Sequence, residues 1–413
     1  MPLSAIQRPL LTVAFLLPGV ILALAQPVSA GDWPGWRGPS EMGLVDDPGL
    51  VLAWGADQNL RWKAELPKAH NPWSSPVISG GRVFLTTCTF DPADQEVLCF
   101  RKDDGKLLWR TRVAPGPWRL EDQRSTYCAQ TPVTDGSLLY VAFGSAVVAA
   151  LDFDGKLVWR RALDRYSFDV AEASSPLLFN DTILLLCDQN DGKSNLLAFD
   201  KKTGQTRWEV MRPDQGFSHS TPLLTRIDGE PRLLVSASNA FQGLDPRDGK
   251  VLWWCSLRGD VVTPVCSNDI AYVDSGRSNP GLALRVPGNG DVTATHVLWK
   301  MGSIGEALSS PIILGDYLYR LCSGNRLLCV ELKSGRQVYE ENLPGISNWA
   351  SPIATASRIY FASAGKTVVV KPGPVFEKLA TSDLGDENAA SPAVSGGLLF
   401  LRGQRYLYCI GKP

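Results

Sequence analysis

DGKLLWR at 104–110, DGKLVWR at 154–160 and DGKVLWW at 248–254 are three copies of one seven-residue phrase. Each opens on Asp-Gly, a turn signal whose glycine readily takes positive φ. Each then runs into a short apolar stretch carrying a tryptophan. The phrase belongs to a longer unit that begins with a Ser-Pro or Thr-Pro step. Those steps stand at Ser75-Pro76, Thr131-Pro132, Ser175-Pro176, Thr221-Pro222, Thr263-Pro264, Ser310-Pro311, Ser351-Pro352 and Ser391-Pro392. Their mean spacing of about 45 residues marks a repeat architecture.

Within a unit, a short apolar run such as PVISGG follows the proline. A Gly, Asp or Asn turn leads to an alternating strand such as RVFLTT or LLYVAF. A third strand such as VVAALD comes next, then the glycine turn, then a strand bearing an aromatic. In successive units that aromatic is Trp109, Trp159, Trp208, Trp253, Trp299, Tyr339 and Phe376. Helical periodicity is almost absent, and four short antiparallel strands in roughly 45 residues make one propeller blade. The tryptophan is expected to fill the gap to the next blade, which widens toward the rim. Proline, lacking an N–H, suits the start of an innermost strand beside a central channel.

The two ends complement each other. NLRWKAEL at 59–66 has the outer-strand pattern with no inner strands before it. The last unit has three strands, PAVSGG, LLFLRG and RYLYCIG, and no fourth. Together they make an eighth blade and close the ring, which hides its edges. The expected fold is all-β: an eight-bladed β-propeller with four antiparallel strands per blade, closed by the N-terminal strand at about 59–66. Three segments follow: a signal peptide at 1–30, a leader strap at 31–58 and the propeller at 59–413.

The 413 residues are 44% hydrophobic and 20% charged, an ordinary globular balance. Lysine and arginine number 41 against 42 acids, which leaves no electrostatic footprint for nucleic acid or an anionic membrane. Residues 1–30 carry one cation, Arg8, an apolar run and a Val28-Ser29-Ala30 end, the pattern of a cleaved secretory signal. No later apolar stretch approaches the roughly 20 residues of a membrane helix. The mature chain is expected to be exported, periplasmic or extracellular, with no transmembrane segment. Nine cysteines leave at least one unpaired within the chain. Most read as buried thiols in strands. Cys88 with Cys99, and Cys322 with Cys329, flank short hairpins and are the candidate cross-strand disulfides.

The phrase LLAFDKKTGQTRW at 196–208 resembles the tryptophan-bearing repeat of PQQ-like (quinoprotein alcohol dehydrogenase-like) β-propellers of the exported bacterial type. That superfamily contains the quinoprotein alcohol dehydrogenases and the propeller lipoprotein that assists outer-membrane protein assembly. The resemblance covers roughly 59–413. The leader DWPGWRGPSEMGL at 32–44 resembles the opening segment of exported bacterial members, where Trp33 and Trp36 would pack a strap against the propeller. For the enzymes, the resemblance implies PQQ and Ca²⁺ at one channel mouth, a vicinal Cys-Cys ring and carboxylate ligands. This chain has no Cys-Cys pair and no C-x-x-C-H haem signature. It also has no G-x-S-x-G, Walker A or H-E-x-x-H motif, and its three histidines lack metal-ligand spacing.

The segments just before each Ser/Thr-Pro step are expected to line one mouth of the channel. They bring together His70, Trp73, Arg124, Tyr127, Glu172, His219, Asp260, Glu306, Trp349, Glu387 and Asn388 as candidate ligand-binding residues. Such a funnel suits a cation or a small polar ligand, although polar loops converge there in any propeller. The expected function is an exported, non-catalytic scaffold for a protein partner or a small polar ligand, with no cofactor. Two alternatives stand beside it. One is a PQQ/Ca²⁺-dependent oxidoreductase with Glu172, Asp260, Glu306, Glu387 and Asn388 as ligands and Arg124 on an anionic group. The other is a carbohydrate-binding propeller with Trp73, Tyr127 and Trp349 as stacking platforms.

Overall fold

The structure is a computed structural model that describes residues 31–412 other than 169, 278, 279 and 388. The expected signal peptide and Asn388 lie outside the described residues. Eight antiparallel sheets follow one another along the chain as blades 1 to 8, seven with four strands and one with five. Blade 1 shows the plan: Val77–Ser79 innermost, then Arg82–Thr87, Glu96–Arg101 and Leu107–Arg112 outermost. The second and third strands are buried on both faces because each sheet is sandwiched between its neighbours. Their sequences are accordingly near-continuous apolar runs. The outermost strand alternates exposed and half-buried residues, since it lies at the rim.

Blade 8 is built from both ends of the chain. Leu60–Glu65 pairs antiparallel with Tyr406–Ile410, placing Trp62 opposite Cys409 and Glu65 opposite Tyr406. The ring is therefore closed as the sequence predicts, with no open sheet edge between first and last blades.

Around the channel the Ser/Thr-Pro steps form a belt. The Ser75 N–H donates to Thr131 Oγ1 at 3.0 Å, Thr131 N–H to Ser175 Oγ at 3.0 Å, and Ser175 N–H to Thr221 Oγ1 at 2.9 Å. Thr263, Ser310 and Ser351 continue it onto Ser310, Ser351 and Ser391, at 3.2, 2.9 and 2.9 Å. Ser391 N–H returns to Ser75 Oγ at 3.0 Å. The residue before a proline is held extended, and the proline itself brings no donor to the channel wall. Each hydroxyl then takes the one N–H that its neighbouring blade leaves unpaired.

At the rim the repeated phrase serves a second contact between blades. Trp109 of blade 1 donates its indole N–H to Phe153 O at 2.7 Å, and its ring covers Gly155 of blade 2. Gly155 has φ +84°, and a Cβ there would stand 2.6 Å from the ring. Trp62, Trp159 and Trp299 repeat the bond onto Lys102, Lys201 and Leu332 at 2.9, 2.9 and 2.7 Å. The aromatic of one blade thus seals the glycine turn of the next.

Two expectations are corrected here. Phe376 precedes the outermost strand of blade 7, Lys378–Asp383, and packs edge-on to Tyr339 at 5.7 Å. The register gives the position of Trp109 to Ala380, because Val369 pairs Ala380 as Cys99 pairs Trp109. The cysteine pairs also fail: Cys99 lies opposite Phe84, Cys322 opposite Arg326 and Cys329 opposite Tyr319. All nine cysteines are buried thiols. One further departure is the fifth strand. Gly290–Asp291, in an insertion within blade 5, pairs parallel with Trp253–Trp254 of blade 4 and buries Trp253 completely.

Replacing Gly155 with Ala is expected to destabilise the protein by roughly 2–4 kcal/mol. Both the left-handed backbone and the covering indole oppose a Cβ there. Denaturant unfolding checks this, and a loss under about 0.5 kcal/mol would show that the turn relaxes away from Trp109.

Candidate funnel at the channel mouth

Residues 31–58 lie against the end of the channel where the innermost strands run out. Trp33 exchanges two backbone bonds with Ile78 of blade 1, at 2.8 and 2.9 Å. Pro34 O accepts Thr134 N–H of blade 2, and Glu41 Oε2 accepts Leu224 N–H of blade 4, both at 2.8 Å. Trp36 Nε1 donates to Thr263 Oγ1 of blade 5 at 3.1 Å, and Arg37 Nη2 to Pro311 O of blade 6 at 2.7 Å. Gly43 and Val45 pair with Ala354 of blade 7, and Asp47 accepts Gly397 N–H of blade 8. A segment that joins blade 1 to blade 5 through fewer than ten residues must cross the channel. The belt of hydroxyls has its one interruption at this crossing. Among the described residues no Thr221-to-Thr263 bond forms, and the Thr263 hydroxyl takes the Trp36 indole instead.

Above Trp36 opens a funnel of about 760 Å³. Its waist is ringed by Ser175, Thr221, Thr263, Ser310 and Ser351 of the belt. Its mouth is lined by Trp73, Arg124, Phe217, His219, Arg277, Glu306 and Trp349. The segments before the Ser/Thr-Pro steps do line this end, but they bring only some of their expected residues into it. Trp73 and Trp349 meet with ring centroids 5.3 Å apart at 46°, and Trp349 stays 43% exposed. Arg124 is held on Asp122. His219 lies against Phe217 edge-on at 4.4 Å, and its Nδ1 is buried without a hydrogen bond. Burial, with the Arg277 charge nearby, lowers its pKa to about 3, so the ring is neutral at physiological pH.

The other expected residues stand elsewhere. His70 sits beside Phe90, with ring centroids 5.3 Å apart. Tyr127 is buried against Trp118 and its hydroxyl accepts the Leu120 N–H at 2.6 Å, so it offers no stacking face. Glu172 is fully buried and turned onto its own backbone, where Oε1 accepts the Ser174 and Ala173 N–H groups at 2.7 and 2.9 Å. Burial pushes its carboxyl well above the usual carboxylate range, and Oε2 has no partner. Asp260 is ion-paired with Arg277, which opposes the upward push of burial on its carboxyl. Glu306 reaches the same guanidinium at 3.4 Å. Glu387 is exposed beside Gly365.

Phe217, Arg277 and Trp36 escaped the sequence reading of the mouth. Arg277 follows the second strand of blade 5, and its partners Asp260 and Glu306 stand in the connections that enter blades 5 and 6. Trp36 was expected to pack the strap, and it also floors the funnel. Away from the mouth, Asp188 is buried and pairs with Arg212 at 2.9 Å.

These residues do not fit a calcium–quinone pair. A calcium ion takes about six to eight oxygen ligands. Here Glu172 faces its own chain, while Asp260 and Glu306 share one arginine. Among the described residues no group of three or more His, Cys, Asp or Glu side chains converges to hold a metal.

A family model described as outer membrane protein assembly factor BamB matches residues 41–126, 93–263 and 226–373. The chain belongs to this family. It is 23% identical over 351 residues to the outer membrane protein assembly factor BamB of Yersinia pestis, covering 81% of this chain and 82% of that one. The crystal structure of BamB from Moraxella catarrhalis superposes with a TM-score of 0.58 at 14% identity, covering 85% of this chain and 96% of that one. Quinohemoprotein alcohol dehydrogenase from Comamonas testosteroni superposes at 0.55 with 14% identity, covering 93% and 81%. Both structural likenesses carry the propeller fold. Among the described residues no helix is long and apolar enough to cross a membrane.

The strap introduces a pH dependence. Glu41 turns its carboxyl inward onto Leu224 N–H, and burial raises its pKa from 4.5 to about 8. The folded state therefore holds a proton that the unfolded state releases above about pH 4.5. The stability contributed by this group is present below that pH and falls as pH rises toward about 8. Melting temperatures across pH 5–8 should decline, and Glu41→Gln should flatten the decline. An unaltered slope in the variant would assign it to another group.

Proposed function

We propose that the chain is an exported, non-catalytic scaffold that docks an extended segment of a partner protein at the funnel mouth, in the assembly of outer-membrane proteins. One observation carries this reading: Trp349, 43% exposed, packs at a tilt against Trp73 at the lip of a cavity whose far end is occupied by Trp36. An exposed tryptophan with a ring braced behind it and arginines beside it has the composition of an interface hot spot. Trp36 stands at the far end of the cavity, where an entering segment would meet its indole. Membership of the assembly-factor family supports the same kind of role. The signal-like N-terminus supports delivery across the inner membrane.

The oxidoreductase reading is less well supported, because the carboxylates it needs are committed to Arg277 or to backbone N–H groups. The carbohydrate reading loses Tyr127 to the interior. A photo-crosslinking residue at position 349 should capture one protein from the outer-membrane fraction, and one at Val375 on the far rim should not. Trp349→Ala should weaken binding of that protein by about 2 kcal/mol, roughly 30-fold. Equal capture at both positions, or retention of PQQ with Ca²⁺ by the purified chain, would overturn the proposal.

A further inference from the structure

Cys88 follows the second strand of blade 1, and Cys128 lies in the connection between blades 1 and 2. Their sulfurs stand 2.9 Å apart, only about 0.9 Å beyond a disulfide bond. The pair is buried, with Thr126 Oγ1 3.1 Å from Cys88 Sγ and 3.5 Å from Cys128 Sγ. A second observation comes from blade 8. Arg402 is 1% exposed and donates to Ser74 O at 3.0 Å and to Ser74 Oγ, while its Nε has no partner. Among the described residues it has no carboxylate at ion-pair distance, and the ionisable groups its charge faces are Cys128 and Cys88. A buried guanidinium keeps its proton at physiological pH and is stabilised by an anion nearby. Cys128 can supply that anion as a thiolate. Burial pushes the Cys128 thiol up, but the Cys88 S–H, the Arg402 charge and the Thr126 hydroxyl outweigh it and hold its pKa below the usual thiol value, while burial and the neighbouring sulfur raise that of Cys88.

We propose that Cys88 and Cys128 are a redox dithiol that closes to a disulfide between blade 1 and the 113–132 connection, with Cys128 as the attacking sulfur. The oxidant is a low-molecular-weight dialkyl disulfide. The Cys128 thiolate attacks one of its sulfurs, forms a mixed disulfide and expels the other half as a thiolate. That thiolate takes the Cys88 proton. The Cys88 thiolate then attacks Cys128 Sγ and expels the second half. One protein thiolate and one protein thiol are oxidised to a disulfide, and one small disulfide is reduced to a thiol and a thiolate. Because both sulfurs are buried, exchange proceeds when the 113–132 connection opens. That connection carries Arg124 and Ser125 to the funnel wall. The cross-link would tie this part of the wall to blade 1, and the inference stands whether or not the mouth docks a partner.

The test equilibrates the full chain in oxidised and reduced glutathione at increasing ratios, quenches in acid, then denatures, alkylates and digests it. The expected result is one cross-linked peptide pair, Cys88 with Cys128, two hydrogens lighter than the free thiols, while the other seven cysteines alkylate. Cys88→Ala should trap glutathione on Cys128, whereas Cys128→Ala should leave Cys88 a thiol. Alkylation of Cys88 and Cys128 to the same extent as the other seven under oxidised glutathione would overturn the proposal. Glutathione trapped on Cys88 in Cys128→Ala, with none on Cys128 in Cys88→Ala, would overturn the assignment of the attacking sulfur.

Discussion

Closure of the ring is the constraint on which the rest of this structure depends. Eight twisted sheets, each apolar on both faces, have no stable arrangement unless every sheet finds two neighbours. The belt of Ser and Thr hydroxyls settles that arrangement at the axis. Except where Thr263 takes the strap, each blade gives one backbone N–H and one hydroxyl to the blades on either side. At the rim the tryptophan-on-glycine contact does the same at larger radius. The two contacts lie at opposite edges of a blade, and together they fix its tilt as well as its spacing.

The strap uses the one place where the belt is interrupted. Trp36 takes the Thr263 hydroxyl, and that single bond places an indole across the channel. The cavity above it is then a consequence of closure: eight loops converge because the blades do, and the floor exists because the strap crosses. Its chemistry is less uniform than its shape. The acids that approach it are neutralised by arginine or by backbone donors, which leaves aromatic surface as the larger accessible feature.

Much of this was legible in the chain. The Ser/Thr-Pro spacing and the DGK phrase read out the blade count, strand order and circular closure, because each encodes a contact that recurs identically. The site was less legible for the same reason. Which residue of a loop faces the funnel depends on backbone turns peculiar to that loop, and Tyr127 and Glu172 turn inward where Trp73 and Trp349 do not. Arg277 could not be found by spacing, since its two partners come from two other loops. Phe376 misled because it is an aromatic near the right place in sequence, yet it lies before the strand and four residues short of the position Ala380 holds in register. The cysteines misled similarly. Hairpin symmetry suggested pairs within a blade, whereas the close pair, Cys88 and Cys128, joins a strand end to an inter-blade connection.

The strap is also a matter of timing. Residues 31–58 leave the ribosome long before the last blade is made, and Leu60–Glu65 directly after them. Yet Leu60 pairs with Ile410, and Asp47 holds Gly397. A segment made early is thus among the last to find its partners. Contacts separated by some 350 positions are slow to form, because loop closure precedes any reward for it. Until the final blade arrives, an unpaired outer strand and an apolar strap have nowhere to go, which is the state most exposed to aggregation and proteolysis. A chain built this way gains from reaching its compartment unfolded and whole, with its beginning kept apart from other chains until its end is in place.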